Sequence, residues 1–443
     1  MKANPACLCV LFVAATLTAE EPKRADDPKI IELLKNMRDN EGRRLPKVNV
    51  EGVGAPKRGP YHRDYCNKMV YAPDRETALY MGGSHQTWRG NDVWEYHLGS
   101  NTWNQLFAPD GGNHAHLKYT LYFGALKSIR RDPKGKVDES TLSRKDREEL
   151  EKTRDWWKKN VINQKGNITT RKGGPIMNAH TWDGITYDPL VKRVLWASGA
   201  GPASLPQYHA YLMGIPFDKL EVDPTYTRMW MFEPAKRAWI HYRHTGPMPQ
   251  LRGMGASMCY IDDLKKSIYY VAATNVSPPA FEMWTFDAVA DKWQELKPNG
   301  GKAISVLASK EKVAPIAEQQ MAYSPQHKKL VAVLKHDTFV YDVVRNRWAK
   351  VNTDTRIDAH DARTIFAYDC INDVFLLANP RTKNGPKLAA FSLKTNSWEP
   401  LKWQGDSIPG GLYVNYMGYF DPLHNVFVLD GGNNIWVYRY RRN

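Results

Sequence analysis

An aromatic residue followed seven positions later by tryptophan recurs five times along this chain. The five pairs are Tyr96 with Trp103, Phe232 with Trp239, Phe286 with Trp293, Tyr341 with Trp348, and Phe391 with Trp398. Trp436 and Tyr438 begin a sixth copy, in which the later tryptophan is missing. One spacing repeated at intervals of roughly 50 residues indicates a repeat fold and not a series of unrelated domains.

A second pattern, made of a strand, a turn and another strand, accompanies each copy. It is centred on a tyrosine, and the six tyrosines are Tyr71, Tyr187, Tyr260, Tyr323, Tyr368 and Tyr419. Asp-Pro or Ser-Pro follows the tyrosine in several copies and favours a hairpin turn. The alternating apolar residues bury one face of each strand, and the tryptophan can pack between neighbouring sheets. Each unit therefore predicts four short strands, which is the pattern of a propeller blade.

The segment GGSHQTWRGNDVWEYHLGSNTW resembles the kelch repeats of the galactose oxidase-like superfamily. Gly82 and Gly83 follow the second strand, and Gly431 and Gly432 form a second glycine pair in the last unit, whereas the other four units lack one. The resemblance covers residues 43–443 and implies an all-β, six-bladed β-propeller, with seven blades as the alternative. Residues 43–52 resemble residues 347–355, so we expect this N-terminal strand to complete blade six and close the ring, which removes exposed sheet edges.

Two segments lie outside the repeat. Residues 20–42 form an N-terminal segment with a helical stripe of Ile30, Ile31, Leu33, Leu34 and Met37. A second segment, about 113–179, is an insertion between the first two tryptophan pairs. Ser143 and Asp146 have the spacing of a helix capping box, and Trp156 and Trp157 are expected to pack the resulting helix onto the propeller.

Residues 1–19 have the pattern of a secretory signal peptide. Lys2 precedes an apolar stretch over residues 6–17, and Ala19 precedes an acidic start. We therefore predict a secreted or periplasmic protein, with a buried N-terminal helix as the alternative. The chain has a net charge of +15, which attracts polyanions. Because export disfavours nucleic acid, the expected partner is an acidic polysaccharide or an extracellular protein, bound by a monomer without membrane insertion.

The loops that precede the first strand of each blade and those that join its second and third strands open on one face. Histidine, arginine and aromatic residues are frequent in these loops. The candidate catalytic residues are His85, His180, Tyr208, Arg89, Arg252 and Arg363. The candidate ligand-binding residues are His62, Arg63, Trp88, Trp182, Gln319, His336, His360, Arg381 and Asn415. Arg63 and Arg89 could equally pair with acidic residues of neighbouring loops.

This loop composition suits an acidic sugar, because arginine pairs with carboxylate or sulfate and aromatic rings stack on sugar faces. An enzyme of this kind would use an arginine to neutralise the sugar carboxylate and a histidine or tyrosine as the base. A metal is not predicted. His114 and His116 form a short pair, but no third ligand is recognisable, and metal sites need three or four. No cofactor is predicted either.

The copper-radical oxidases, galactose oxidase and its relatives, share the propeller plan. A resemblance to this family would imply a copper site with a cysteine just before the first strand of one blade. That cysteine is cross-linked to a tyrosine at the equivalent place in the next blade. Cys66 lies at such a place, but the equivalent residue in the next blade is Trp182. The Tyr-His pair that the family also needs is replaced by Glu318-Gln319, Arg363-Thr364 and Val414-Asn415. The sequence therefore excludes a copper oxidase.

Three functions remain open from the sequence. The first is a secreted kelch-type propeller that binds an acidic glycan on its loop face without chemistry. The second is a polysaccharide lyase or an epimerase that acts on uronic or sialic acid-type sugars. The third is a scaffold for other proteins, which rests on fold analogy alone.

Overall fold

The computed structural model describes residues 23–442 with internal gaps. The gaps are 58, 61–62, 64–65, 84–87, 111–138, 141, 165, 177, 179–180, 198–204, 222, 252–255, 274–279, 302–319, 335, 356, 358, 360–363, 380–381, 383–384, 408–416 and 432–433. The predicted signal peptide lies outside the described residues. Within the described part of the chain, no helix is both long and apolar enough to cross a membrane.

Six antiparallel sheets form the blades of a β-propeller, which confirms the predicted all-β, six-bladed fold. Blade one contains β3 (Val70–Ala72), β4 (Thr77–Tyr80), β5 (Val93–His97) and β6 (Thr102–Phe107), and blade two contains β9 (Ile185–Asp188), β10 (Arg193–Trp196), β11 (Tyr226–Glu233) and β12 (Ala238–Arg243). Blade three contains β13 (Ala256–Ile261), β14 (Lys266–Ala273), β15 (Ala280–Asp287) and β16 (Lys292–Leu296), and blade four contains β17 (Gln320–Ser324), β18 (Lys329–Leu334), β19 (Asp337–Asp342) and β20 (Arg347–Val351). Blade five contains β21 (Ile365–Asp369), β22 (Val374–Ala378), β23 (Leu388–Ser392) and β24 (Ser397–Pro400), and blade six contains β26 (Met417–Asp421), β27 (Val426–Asp430), β28 (Ile435–Arg439) and β1 (Glu41–Arg44).

The aromatic–tryptophan repeat marks directly opposed residues on the third and fourth strands of each blade. Tyr96 faces Trp103 in the register of blade one, and the other four pairs are opposed in the same way. The ring centroids of the five pairs are 4.6 to 5.5 Å apart. Each tryptophan also packs in a core cluster with the preceding blade, as Trp103 does with strands of blade six. The residues of the sequence repeat therefore form the core between neighbouring blades.

The hairpin turns within the blades share one backbone conformation. In all eleven turns that join strands one and two or strands three and four, the residue before the returning strand has a φ of 48° to 57°. These residues are Glu76, Asn101, Lys192, Arg237, Lys265, Asp291, Lys328, Asn346, Asp373, Asn396 and Asn425. A repeated left-handed residue fixes the register of each hairpin, and that register places every aromatic opposite its tryptophan.

The ring is closed by β1, as predicted, although the closing strand begins at Glu41 and not at Arg43. It pairs antiparallel with β28, from Glu41 opposite Arg439 to Arg44 opposite Trp436. A short strand, β25 (Gln404–Gly405), adds in parallel to the outer edge of β1. The later part of the predicted strand, β2 (Asn49–Glu51), instead pairs in parallel with β6 on the outside of blade one.

Three α-helices lie among the described residues: α1 (Pro28–Asn36), α2 (Arg144–Asn160) and α3 (Leu205–Met213). The first carries the predicted apolar stripe and buries Ile30 and Leu34 against blades one and six. The second begins at the predicted capping box, because the Ser143 hydroxyl accepts a hydrogen bond from the backbone N–H of Asp146 at 3.2 Å.

The helix α2 and the hairpin β7 (Val161–Gln164) and β8 (Asn167–Thr170) pack on α3, which lies between the second and third strands of blade two. This insertion has a core of its own around Trp157, whose indole N–H donates to Nδ1 of His209 at 2.8 Å. Burial lowers the pKa of His209 to about 4, which keeps this imidazole neutral and able to accept the bond. The insertion is thereby fixed to the segment that joins the second and third strands of blade two.

Candidate functional site

The innermost strands β3, β9, β13, β17, β21 and β26 surround the central channel, and each contacts the innermost strand of the next blade. All six run in the same direction, so their first residues meet at one end of the channel. We call this end the channel mouth, and the opposite side, formed by the hairpin turns, the turn face. Polar residues directly before these strands make the mouth the candidate functional site.

Lys68 and Asp183 form an ion pair across the channel mouth. The ammonium Nζ of Lys68 lies 3.0 Å from Oδ1 of Asp183 and donates to the carbonyl of Met258 at 2.9 Å. The other carboxylate oxygen of Asp183 accepts the backbone N–H of Met321 at 3.0 Å. The pair therefore links blades one, two, three and four, although its residues come from distant parts of the sequence.

The remaining part of the mouth is closed by two side-chain amides. The amides of Asn67 and Gln320 both donate to the carbonyl of Thr364, at the start of blade five. Gly418 in blade six donates its N–H to the carbonyl of Asn67 at 3.0 Å. Together with the ion pair, these bonds join all six blades at the level of the mouth.

Burial raises the pKa of Asp183 from the ordinary 3.8 to about 6, and the neighbouring Lys68 ammonium opposes this shift. Asp183 is only 4% exposed. Burial also raises the pKa of the nearby Cys259 thiol to about 11, so this cysteine stays protonated at neutral pH. A buried carboxyl that titrates near neutrality in a channel is a candidate for acid–base chemistry.

Substitution of Asp183 by Asn is expected to remove a pH-dependent part of the stability. Because the pKa is higher in the folded protein than in the unfolded chain, the contribution of Asp183 to the free energy of unfolding is fully present below about pH 4 and is lost as the pH rises through about 6. The full change is about 3 kcal/mol. Urea unfolding at several pH values should show the wild type losing stability relative to Asp183→Asn as the pH rises from about 4 to about 7.

Asp263→Asn is the control for this experiment. The pKa of Asp263 is lowered, first by the hydrogen bond from Tyr323, so its contribution is lost as the pH falls and the slope has the opposite sign. Parallel stability profiles for wild type and Asp183→Asn would contradict the assignment.

The structure buries Arg63, which the sequence had suggested as a ligand-binding residue. Its Nη2 lies 2.7 Å from Oδ2 of Asp92, it donates to the carbonyl of Gly82, and its side chain is inaccessible to solvent. This is the pairing with a loop carboxylate that the sequence left open. Gly82 has a φ of 102°, and a Cβ there would overlap Thr181, so the glycine pair permits close contact between blades one and two.

Trp88 and Arg89, on the same face, are half-buried. The indole N–H of Trp88 donates to Oδ1 of Asp92 at 2.7 Å, while Trp94 donates to Oδ2 of the same carboxylate at 2.6 Å. The backbone carbonyl of Arg89 accepts the N–H of Asn178 from the segment before blade two. Asp92 thus fixes the orientation of the Trp88 ring beside the mouth.

Of three further candidates, Tyr208 and Trp182 are buried and His336 is half-buried. Tyr208 is 1% exposed and packs edge-on against Trp157 in the core of the insertion. Trp182 is 5% exposed and adopts a left-handed φ of 42° immediately before Asp183. His336 is half-buried, and its Nδ1 lies 2.9 Å from the carbonyl of Ile357.

The other predicted site residues lie outside the described residues. They are His62, His85, His180, Arg252, Gln319, His360, Arg363, Arg381 and Asn415, and also His114 and His116. In the described ranges, no three histidine, cysteine, aspartate or glutamate side chains are grouped as ligands for a metal ion. Sequence reasoning missed Lys68 and Asp183, whose common signal is a charged residue shortly before a first strand.

The fold and the site define a six-bladed β-propeller with a polar, cross-linked channel mouth. No protein-family model matches this sequence, and no curated protein matches it either.

Proposed function

We propose that the chain is a kelch-type propeller that functions outside the cytoplasm and binds an acidic glycan at its channel mouth. The observation that carries the proposal is the combination of Lys68, Trp88 and Arg89 on one face of a rigid ring. A guanidinium can pair with a sugar carboxylate or sulfate, and an indole can cover the apolar face of a sugar ring. The net charge of +15 favours the approach of a polyanion.

Binding to an array of neutral and acidic glycans at two salt concentrations tests this proposal. We expect acidic glycans to bind and the signal to fall at high salt, because charge attraction is screened. Arg89→Ala is expected to weaken binding about tenfold or more, which is the effect of losing a hydrogen bond to a charged group. Arg345→Ala is the matched control, because Arg345 is exposed on the turn face. No acidic hit, or equal loss in both variants, would refute the proposal and favour a protein scaffold.

A second candidate function is a lyase or epimerase on acidic sugars. The raised pKa of Asp183, beside the Lys68 ammonium, favours it, because such chemistry needs a base and a cation near the sugar carboxylate. The test follows ultraviolet absorbance of unsaturated product with any acidic glycan that binds. Asp183→Asn should retain binding and abolish turnover if Asp183 is the base. If the glycan binds but neither an unsaturated nor an epimerised product forms, only the first proposed function, glycan binding without chemistry, is left.

A further inference from the structure

The insertion and blade two enclose an open groove of about 350 Å³ on the outer side of the propeller. One wall is the hairpin of β7 and β8, and the other is β12. The hairpin wall presents Ile162, Gln164, Asn167, Thr169 and Arg171, and the wall of β12 presents His241 and Arg243. The volume is at the lower end of the range for small-molecule sites, which matches a single sugar ring.

His241 gives the groove a rigid, uncharged base. Its ring stacks on Trp230 with 4.4 Å between centroids, and its two nitrogens lie 2.7 Å from Oδ1 of Asn167 and 2.8 Å from the carbonyl of Thr227. Burial lowers the pKa of His241 to about 4, so near neutral pH the imidazole is uncharged and only one of its two nitrogens carries a proton. The Asn167 side chain lies against one of these nitrogens and so brings the hairpin into contact with blade two.

The charge of the groove comes from two arginines on opposite walls. Nη1 of Arg243 lies 3.2 Å from Oδ2 of Asp223, and Oδ1 of the same carboxylate accepts the N–H and the hydroxyl of Thr225 at 2.9 and 2.6 Å. Nε of Arg171 donates to the carbonyl of Lys159. A guanidinium has five N–H donors, so each arginine is oriented by one contact and retains donors for another.

Among the described residues that line the groove there is no carboxylate, and the carboxylate that pairs with Arg243, Asp223, is also engaged by Thr225. Gln164, Asn167 and Thr169 add neutral hydrogen-bonding groups of the kind that pair with sugar hydroxyls. The groove is complementary to an anionic sugar, because it combines two oriented cations, neutral polar groups and one aliphatic side chain, Ile162. They offer no counter-charge for a cation.

We propose that this groove is a binding site for one carboxylate- or sulfate-bearing sugar unit, separate from the channel mouth. Arg171 and Arg243 hold the anionic group from two sides, and Gln164 and Thr169 bond the hydroxyls of the ring. The insertion gains a role by this assignment, because its hairpin supplies one wall of the site. The assignment does not depend on glycan binding at the mouth, since different elements form the two sites.

Calorimetric titration with a trimer of galacturonic acid, and separately with a sulfated disaccharide, tests the groove. In an Arg89→Ala background, which removes the contribution of the mouth, the double variant Arg171→Ala/Arg243→Ala is expected to weaken binding of the preferred sugar by about 100-fold, from the loss of two charge-assisted contacts. The control is Arg144→Ala/Arg345→Ala, which removes the same charge from two exposed arginines elsewhere. Comparison of the two sugars identifies carboxylate or sulfate as the recognised group.

Hydrogen exchange with the preferred sugar gives a second, positional readout. We expect protection of residues 161–173 and 238–243, and the same protection in Arg89→Ala, whose substitution affects only the mouth. Equal affinity of the two double variants for the sugar would overturn the proposal. Protection of other segments without protection of these two would also overturn it. So would a glutamate oligopeptide that binds as tightly as the sugar. Failure of binding at the mouth alone leaves the groove signal intact, so the two proposals are distinguishable.

Discussion

Removal of all residues up to and including Arg44 is expected to prevent the formation of a stable monomeric propeller. The strand β28 would lose its partner from Glu41 to Arg44, and its backbone would form an exposed sheet edge. The core between blades one and six would also lose Ile30, Leu34 and Met37. We expect aggregation during size-exclusion chromatography, or a melting temperature lower by about 10 °C or more.

A chain that begins at Lys23 is the control for this truncation, because it retains every described residue of the closing segment. A point variant, Gly42→Val, tests closure without deletion. A Cβ at Gly42 would overlap the indole of Trp403, so the side chain must displace either the tryptophan or the strand. If the shortened chain elutes as a monomer and has the same melting temperature as the control, the closing strand does not stabilise the ring.

The largest effect of a single side chain is expected for Trp103→Ala. Trp103 is fully buried between blades one and six, contacts the rings of Tyr80, Trp94 and Tyr96, and donates its N–H to Asp430 at 3.1 Å. Loss of this side chain leaves a large cavity in a core that cannot collapse without moving two blades. The free energy of unfolding should fall by about 3–5 kcal/mol.

Two variants separate packing from the hydrogen bond at this position. Trp103→Phe keeps most of the ring and removes the donor to Asp430, so the expected loss is about 1–3 kcal/mol. Trp156→Ala makes the same substitution as the main variant at a half-buried tryptophan of the insertion, and it should cost less than half as much. Equal losses in Trp103→Ala and Trp156→Ala, measured by denaturant unfolding, would show that the core between blades does not dominate stability.

The sequence predicted the parts of the fold that depend on contacts between residues close together in the chain. An aromatic and the tryptophan seven residues later become cross-strand neighbours through one turn, so their spacing alone reveals the hairpin. Closure by the N-terminal strand was also predictable, because residues 43–52 resemble a fourth strand found elsewhere in the chain. Its start was two residues off, since strand ends depend on the partner strand.

The candidate site was less accessible to sequence reasoning, because a position in a loop does not determine burial. Arg63 and Tyr208 occupy loops on the expected face, yet the first pairs with Asp92 and the second is buried in a separate core. Lys68 and Asp183 are 115 positions apart and meet only because the ring brings their strands together. Neither charge carries a motif that would reveal the pairing.

The antiparallel pairing of β1 with β28 also determines where the two ends of the ring emerge. The backbone N–H of Asn40 donates to the carbonyl of Tyr440 at 3.1 Å, so the chain enters the first strand and leaves the last one side by side. Both points lie on the turn face, at the far end of the channel from Lys68 and Asp183. A protein tethered at the residues next to Asn40 or Tyr440 would therefore have its channel mouth on the side away from the point of attachment.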